Sequence, residues 1–241
     1  MKRLLLLLLH SLSRMPETNM TGWWKFDDGS GQVLTDYSSG GHDGELGSTS
    51  GSDANDPTWS STGLTFGADD YLTVSDSTDH DSTAGITLHF ALKRTINNPW
   101  NVIAAKESWN AGTGWVFNFN AATEVQIHKS GGNNLTATCS AINSWHLYTA
   151  TVTASGTAEI FEDNVSLGTS AANHLGAQSR AALDMYVGAM RQFDGTATAQ
   201  AFFTGDIGYA AIYNAVQSDG DRTETYRYIQ LEMSKRGVTI P

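Results

Sequence analysis

The stretch at residues 22–44 reads GWWKFDDGSGQVLTDYSSGGHDG, and it decides how the chain folds. Its opening aromatic residues, Trp23, Trp24 and Phe26, are typical of a β-strand that packs against a core. A loop rich in Gly and Ser follows at residues 36–44, and it can fold back on itself because glycine reaches backbone conformations closed to other residues. We therefore expect a first core strand followed by a compact polar loop.

Apolar and polar residues alternate along most of the chain after this stretch. The clearest alternation occurs at residues 86–92, 115–119 and 125–127, and a period of two places one face of a strand against a core. Further strands are predicted at residues 145–152, 158–161, 185–187 and 202–213. Because Gly, Ser, Asn and Asp clusters separate these strands, the pattern predicts an antiparallel β-sandwich or barrel.

Two short strands are predicted close together at residues 64–66 and 71–74. The intervening segment, Gly67-Ala68-Asp69-Asp70, has the length and composition of a tight turn. This spacing predicts a β-hairpin.

One helix is predicted near the C-terminus. Residues 221–224, Asp-Arg-Thr-Glu, have the spacing of a capping box at a helix start. Tyr226, Ile229 and Met233 then form an apolar stripe, and Gly237 stands where a helix would end. We expect this helix to pack one side against the sandwich.

The composition is that of one all-β domain. The 241 residues include 24 Gly and only 16% charged residues, and the 7 Trp, 9 Phe and 8 Tyr can fill a core between two sheets. A formal net charge of −11 argues against nucleic-acid binding through a basic surface. Cys139 is the only cysteine, which excludes an intrachain disulfide. We expect a sandwich at residues 21–217, an N-terminal arm at 1–20, and the helix and tail at 218–241.

The N-terminal arm combines a basic start with an apolar run, as a secretory signal does. The run is too short to span a bilayer, which takes about 20 apolar residues, and no small-x-small cleavage site follows it cleanly. We therefore predict a retained arm that binds other protein subunits of a larger assembly, with a cleaved leader as the alternative. The predicted partner-binding residues are Leu4, Leu5, Leu6, Leu7, Leu8 and Leu9.

A series of landmarks occurs in order along the chain: WKFD at 24–27, DYSSGGHDG at 36–44, GLTF at 63–66 with YLTV at 71–74, WH at 145–146, FEDN at 161–164, YVG at 186–188, and FTGDI at 203–207 with IYN at 212–214. Together they resemble the laminin-G-like, concanavalin A-like lectin and glucanase jelly rolls over roughly residues 22–237. The resemblance implies an all-β antiparallel jelly-roll sandwich closed by a short helix. This fold hosts lectins, adhesion modules, enzyme accessory domains and virion proteins.

The resemblance also implies a calcium site where the Gly/Ser loop meets the last strand. Ca²⁺ takes several oxygen ligands, and the expected ones are the Asp36 carboxylate, backbone carbonyls near Gly41 and His42, and the Asp206 carboxylate. Members of the family place an acid just after the Ile of the last strand, where this chain has Gly208. The alternative is that Asp36 caps the loop by accepting backbone N–H groups.

Glycan binding is implied by the likeness to lectins. It needs an exposed aromatic platform with polar partners, and Trp100, Trp109 and Asn110 supply these residue types in neighbouring loops. The alternative is that these tryptophans belong to the core, since a sandwich must bury large apolar groups.

Hydrolysis would need two carboxylates on one face, flanking the scissile bond. Glu159 and Glu162 are three residues apart on a predicted strand, so their side chains should point to opposite faces. The sequence therefore predicts a protein that is not an enzyme, with a glycoside hydrolase as a remaining alternative.

These expectations combine into one functional hypothesis. The chain is predicted to be a non-enzymatic structural or interaction protein, a lectin-like jelly roll displayed on an oligomeric assembly, with a bacteriophage virion surface (head decoration or tail) as the setting. The alternative is a secreted lectin or adhesin that binds a cell-surface glycan. The predicted location is the virion surface or the extracellular space.

Overall fold

The structure is a computed structural model, and it describes residues 14–81, 84–96, 99–108, 113–129, 134–171, 183–191 and 199–241. These residues form the following strands: β1 (Met20–Trp24), β2 (Val33–Leu34), β3 (Gly44–Leu46), β4 (Thr58–Ser60), β5 (Gly63–Phe66), β6 (Leu72–Val74), β7 (Gly85–Arg94), β8 (Asn101–Ser108), β9 (Thr113–Ala121), β10 (Glu124–Lys129), β11 (Asn134–Thr138), β12 (His146–Thr153), β13 (Ala158–Glu162), β14 (Val165–Ser170), β15 (Met185–Val187), β16 (Met190–Arg191), β17 (Ala199–Gln200) and β18 (Gly205–Tyr213). A 3₁₀ turn covers Thr78–His80, and one α-helix, α1, covers Asp219–Lys235.

The strands form two large antiparallel sheets. The first sheet has the order β14-β13-β12-β7-β18-β5-β4, and β1 also pairs with β18. The second has the order β11-β10-β9-β8-β15-β6-β3-β2. The predicted alternating segments at residues 86–92, 115–119 and 125–127 lie in β7, β9 and β10, so the prediction of an antiparallel sandwich is confirmed.

One hydrophobic core fills the space between the two sheets. Phe90 of the first sheet meets Phe117 of the second with ring centroids 6.3 Å apart, and Tyr148 meets Phe119 at 5.1 Å. Each such side chain stabilises the fold by roughly 1.5–3 kcal/mol when it leaves water. Trp24 from the opening stretch lies in this core as predicted.

The hairpin predicted at residues 64–74 is wrong. β5 pairs with β18 and β4 in the first sheet, whereas β6 pairs with β15 and β3 in the second. The segment between them does turn tightly, because the Asp70 carboxylate accepts the Gly67 N–H at 2.6 Å. The turn therefore crosses from one sheet to the other instead of joining neighbouring strands.

Helix α1 covers the outer face of the first sheet. Its buried residues Ile229 and Met233, with the tail residues Val238 and Ile240, pack against β18, including Tyr209. The helix begins earlier than the predicted capping box, because Ser218 is the N-cap and its hydroxyl accepts the N–H of Asp221. The end is as predicted, with Gly237 at φ +77°. No helix in the described ranges combines the length and apolar character that crossing a bilayer requires.

Candidate functional site

The outer face of the second sheet carries a line of polar side chains across three strands, which we call the amide row: Asn118, Gln126 and Thr136. Asn118 points outward because its neighbours Phe117 and Phe119 face the core. Gln126 lies opposite Asn118 on β10, and Thr136 lies opposite Gln126 on β11. Gln126 Nε2 donates a hydrogen bond to Thr136 Oγ1 at 2.9 Å, which fixes the orientation of that amide.

The side chain of Asn118 is fully buried in the middle of this face. Neither its amide oxygen nor its amide nitrogen has a hydrogen-bond partner in the part of the chain that the structure describes. An amide left in this condition costs roughly 1–3 kcal/mol, so most buried amides in folded proteins are paired. Asn118 is therefore a donor and an acceptor whose hydrogen-bonding capacity is not used by the described residues.

Trp100 lies beside the amide row. Its half-buried indole packs against an outer-face cluster that includes Val102, the residue directly opposite Asn118 in the sheet. Its ring is nearly perpendicular to that of His128, with centroids 5.6 Å apart. The backbone of Trp100 has φ +61°, a conformation that large side chains seldom adopt. This turn just before β8 places the indole on the outer face of the second sheet and not in the core between the sheets, and the prediction that Trp100 binds carbohydrate stays a prediction.

Two further features extend this face. Toward the β9–β10 turn, half-buried Asn120 donates from Nδ2 to Glu124 Oε2 at 3.0 Å. In the other direction, Tyr71 contacts Tyr186 and Phe202 with ring centroids 5.7 and 6.3 Å apart. The outer face of the second sheet thus combines aromatic rings with amide and carboxylate groups.

The predicted calcium ligand Asp36 is engaged by donors of its own loop. Its Oδ1 accepts the N–H groups of Trp23 and Ser38, both at 2.8 Å. Its Oδ2 accepts the Ser38 hydroxyl and the His42 N–H, both at 2.7 Å. Each carboxylate oxygen already has two donors, and the His42 carbonyl accepts Trp24 Nε1 at 3.0 Å. This geometry supports the capping alternative for Asp36.

Asp206 is engaged by partners of its own, and the calcium site that it would share with Asp36 stays a prediction. Asp206 binds Lys93 Nζ at 2.6 Å and accepts the Thr65 hydroxyl at 2.6 Å. It lies four residues along β18 from the position paired with Trp24, which is the residue bridged to Asp36. Four strand residues correspond to about 13 Å. The carboxylates therefore serve separate structural roles.

Several predicted site residues lie outside the described residues. They are Trp109 and Asn110 of the carbohydrate site and Leu4, Leu5, Leu6, Leu7, Leu8 and Leu9 of the partner-binding arm. These predictions remain as made.

The two glutamates considered for hydrolysis occupy different environments. Glu162 is buried and accepts the Tyr148 hydroxyl at 2.8 Å and the Ser140 N–H at 3.1 Å. Glu159 is half-buried and accepts the Ser166 hydroxyl at 2.5 Å. They do not form the facing pair that glycoside hydrolysis needs.

Asn118 and Gln126 were not among the binding residues predicted from the sequence. The signal was present, because each is a large amide at an outward position between core residues of its strand. Polar outward positions are common in strands, however, and only the register places these two amides opposite each other.

No protein-family model and no curated protein matches the chain. Among solved structures, it is similar to Trypanosoma rangeli sialidase, with a TM-score of 0.63, 12% identity and coverage of 91% of this chain and 34% of the sialidase. It is also similar to the binding domain of botulinum neurotoxin DC in complex with SialylT, with a TM-score of 0.59, 11% identity and coverage of 89% and 52%. The fold is concanavalin A-like. The chain spans about a third of the sialidase and about half of the neurotoxin binding domain.

Proposed function

We propose that this concanavalin A-like chain is a non-enzymatic carbohydrate-binding protein, and that a glycan binds on the outer face of the second sheet beside Trp100 and the amide row. The apolar face of a sugar ring stacks on an indole, and its hydroxyl groups pair with amides. Trp100 supplies the ring, and Asn118 and Gln126 supply the amides. This residue chemistry is typical of a small-ligand site with a few placed polar groups.

The unused amide of Asn118 is the observation that carries the proposal. A sugar hydroxyl both donates and accepts hydrogen bonds, so adjacent hydroxyls of one ring would satisfy both amide atoms. The hydrogen bond from Gln126 to Thr136 leaves the Gln126 Oε1 as a further acceptor in the same line. Asn118 and Gln126 are both buried, so a glycan reaches their amides only when the groups that cover this face move.

Similar folds in other proteins support testing glycans first. One matching structure is Trypanosoma rangeli sialidase in complex with 2,3-difluorosialic acid, and another is the neurotoxin domain in complex with SialylT. The net charge of −11 disfavours anionic ligands in general. We therefore expect neutral glycans to bind this chain more tightly than sialylated ones.

The test is a glycan array followed by calorimetric titration of the best ligand. Trp100→Ala should weaken binding at least tenfold because the stacking platform is lost, Asn118→Ala should weaken it severalfold, and Trp100→Phe should retain most of the affinity. Trp59→Ala is the matched control, since Trp59 lies on β4 of the first sheet and bonds the Gly31 carbonyl. Equal affinity of wild type and Trp100→Ala, or no glycan bound at all, would contradict the proposal.

Display on a larger assembly remains a separate proposal. It rests on the leucine run at residues 4–9, which lies outside the described residues. A glycan-binding sandwich suits both predicted locations, the virion surface and the extracellular space, because both present the protein to cell-surface glycans. Mass spectrometry of the native N-terminus distinguishes a retained arm from a cleaved leader.

A further inference from the structure

A cluster of His146, Glu162 and Asp163 lies at one end of the first sheet, away from the amide row. His146 opens β12, Glu162 ends β13, and Asp163 begins the turn into β14. His146 Nδ1 is 2.6 Å from Asp163 Oδ2 and 3.4 Å from Glu162 Oε1. One nitrogen and two carboxylate oxygens thus converge within 4.8 Å of one another, and both His146 and Glu162 are more than nine-tenths buried.

Each of these three side chains is oriented by a second hydrogen bond. Ser144 Oγ lies 2.9 Å from His146 Nε2 and fixes the imidazole from the side opposite Nδ1. Asp163 Oδ1 accepts the N–H of Leu147 at 2.9 Å, which leaves Oδ2 directed at the imidazole. Glu162 Oε1 accepts the Tyr148 hydroxyl at 2.8 Å, and the Ser140 N–H lies 3.1 Å from both Oε1 and Oε2, so Oε2 is the carboxylate oxygen with fewer donors. Supporting bonds of this kind orient the ligands of metal sites and tune their affinity.

The turn that presents the two carboxylates is rigidly held. Asp163 and Asn164 have φ values of 50° and 64°, the pattern of a two-residue hairpin turn. Asn164 is then fixed to helix α1, since its Nδ2 donates to Thr223 Oγ1 at 3.1 Å and its Oδ1 accepts from Arg222 Nε at 3.0 Å. The carboxylates are therefore positioned before any ligand arrives.

We infer that His146, Glu162 and Asp163 bind a divalent transition-metal ion of the Zn²⁺ class, with water completing the coordination. Imidazole and carboxylate ligands suit Zn²⁺, and bond lengths of about 2.0–2.2 Å place tetrahedral ligand atoms about 3.4 Å apart. The distance between Nδ1 and Glu162 Oε1 is already 3.4 Å. The contact between Nδ1 and Asp163 Oδ2, now 2.6 Å, widens by about 0.8 Å when the ion replaces the shared proton.

The same residues include the hydrogen-bond order of a serine hydrolase, from Ser144 to His146 to Asp163. Two features favour a metal site over that relay. A second carboxylate, Glu162, approaches the same Nδ1. A metal ion needs several ligand atoms directed at its position, and these three residues supply three. A Ser-His-Asp relay needs only one acid to orient its imidazole.

The inference is independent of the proposed glycan site, because the two lie on different sheets. It is tested with the full chain after treatment with a chelator, by calorimetric titration with Zn²⁺ and by the visible absorption of added Co²⁺. We expect one ion per chain and Co²⁺ bands of a four-coordinate site. His146→Ala and Asp163→Asn should each weaken Zn²⁺ binding at least 100-fold, and Ser144→Ala about tenfold, since it removes only the supporting bond.

His42→Ala is the matched control, since His42 also faces a carboxylate, with Nε2 2.9 Å from Asp79 Oδ2, but lacks a second converging acid in the described residues. It should bind Zn²⁺ as wild type does. The inference is overturned if folded wild-type protein binds no Zn²⁺, or if His146→Ala binds it undiminished. It is also overturned if the chelated wild type hydrolyses an activated ester and Ser144→Ala does not.

Discussion

At the scale of single residues, Asp36 organises the loop of the opening stretch. Its carboxylate accepts hydrogen bonds from Trp23, Ser38 and His42, and Gly41 turns the chain toward it with φ +65°. The sequence predicted the importance of Asp36 and both of its candidate roles. Choosing between them required the positions of the backbone N–H groups, which residue types do not reveal.

Replacing Asp36 with Ala should therefore destabilise the fold by about 2–4 kcal/mol, because several buried or half-buried N–H groups lose a charged acceptor. The measurement is urea unfolding, once with Ca²⁺ and once with a chelator. A loop cap predicts the same loss in both. A loss seen only with Ca²⁺ would show that Asp36 is a calcium ligand instead.

A second single residue, His89, makes the free energy of unfolding depend on pH. Burial lowers its pKa from 6.5 to about 4, and its ring nitrogens lie 2.8 Å from Thr149 Oγ1 and 2.7 Å from Gln217 Oε1. Arg222 disfavours protonation further, and the Tyr213 ring packs edge-on against the imidazole. The unfolded chain binds a proton near pH 6.5 and the folded chain only near pH 4, so this stability is complete above pH 6.5 and is lost as the pH falls toward 4.

We expect the free energy of unfolding to fall by on the order of 3 kcal/mol through His89 between pH 6.5 and pH 4. His80, whose pKa burial also lowers to about 4, adds a similar slope. Urea unfolding of His89→Gln across this range should show roughly half the pH dependence of wild type. An unchanged slope would mean that other groups control the acid sensitivity.

Among the elements, hydrophobic periodicity predicted the positions of most strands correctly. The strand pairing predicted from turn composition was wrong for β5 and β6. The Gly67–Asp70 turn has hairpin composition, but β5 finds its partner in β18 and β6 in β15. Similarly, residues 218–221 and 221–224 both have capping spacing, and the structure uses the first. The residues of a turn determine where the chain reverses, whereas packing in the folded sheet determines which strands pair.

The position of the helix cap gives a direct test. Ser218→Ala should cost about 1 kcal/mol, because the Asp221 N–H loses its acceptor. Glu224→Ala should change stability by less than about 0.5 kcal/mol, since Glu224 only pairs with Arg227 on the surface. Urea unfolding of both variants measures which of the two residues belongs to the helix cap. A larger effect at Glu224 would place the helix start at the originally predicted box.

At the scale of the whole molecule, the two sheets are used differently. Helix α1 and the tail cover the outer face of the first sheet with residues such as Ile229 and Val238. The outer face of the second sheet instead carries half-buried Trp100 and the amide row, of which Asn118 and Gln126 are buried. The sequence predicted the sandwich, which the structure confirms, and it named Trp100 as a candidate sugar platform, which stays a prediction. The register between β8 and β9 places Val102 opposite Asn118 and so brings Trp100 near the amide row. Periodicity alone does not fix this register.

A crystal structure of the protein with the best array ligand at saturating concentration shows whether a glycan binds on this outer face. We expect a sugar ring stacked on the Trp100 indole with a hydroxyl group hydrogen-bonded to the Asn118 amide. A glycan bound elsewhere on the sandwich, with Trp100 and the amide row unchanged, would contradict it.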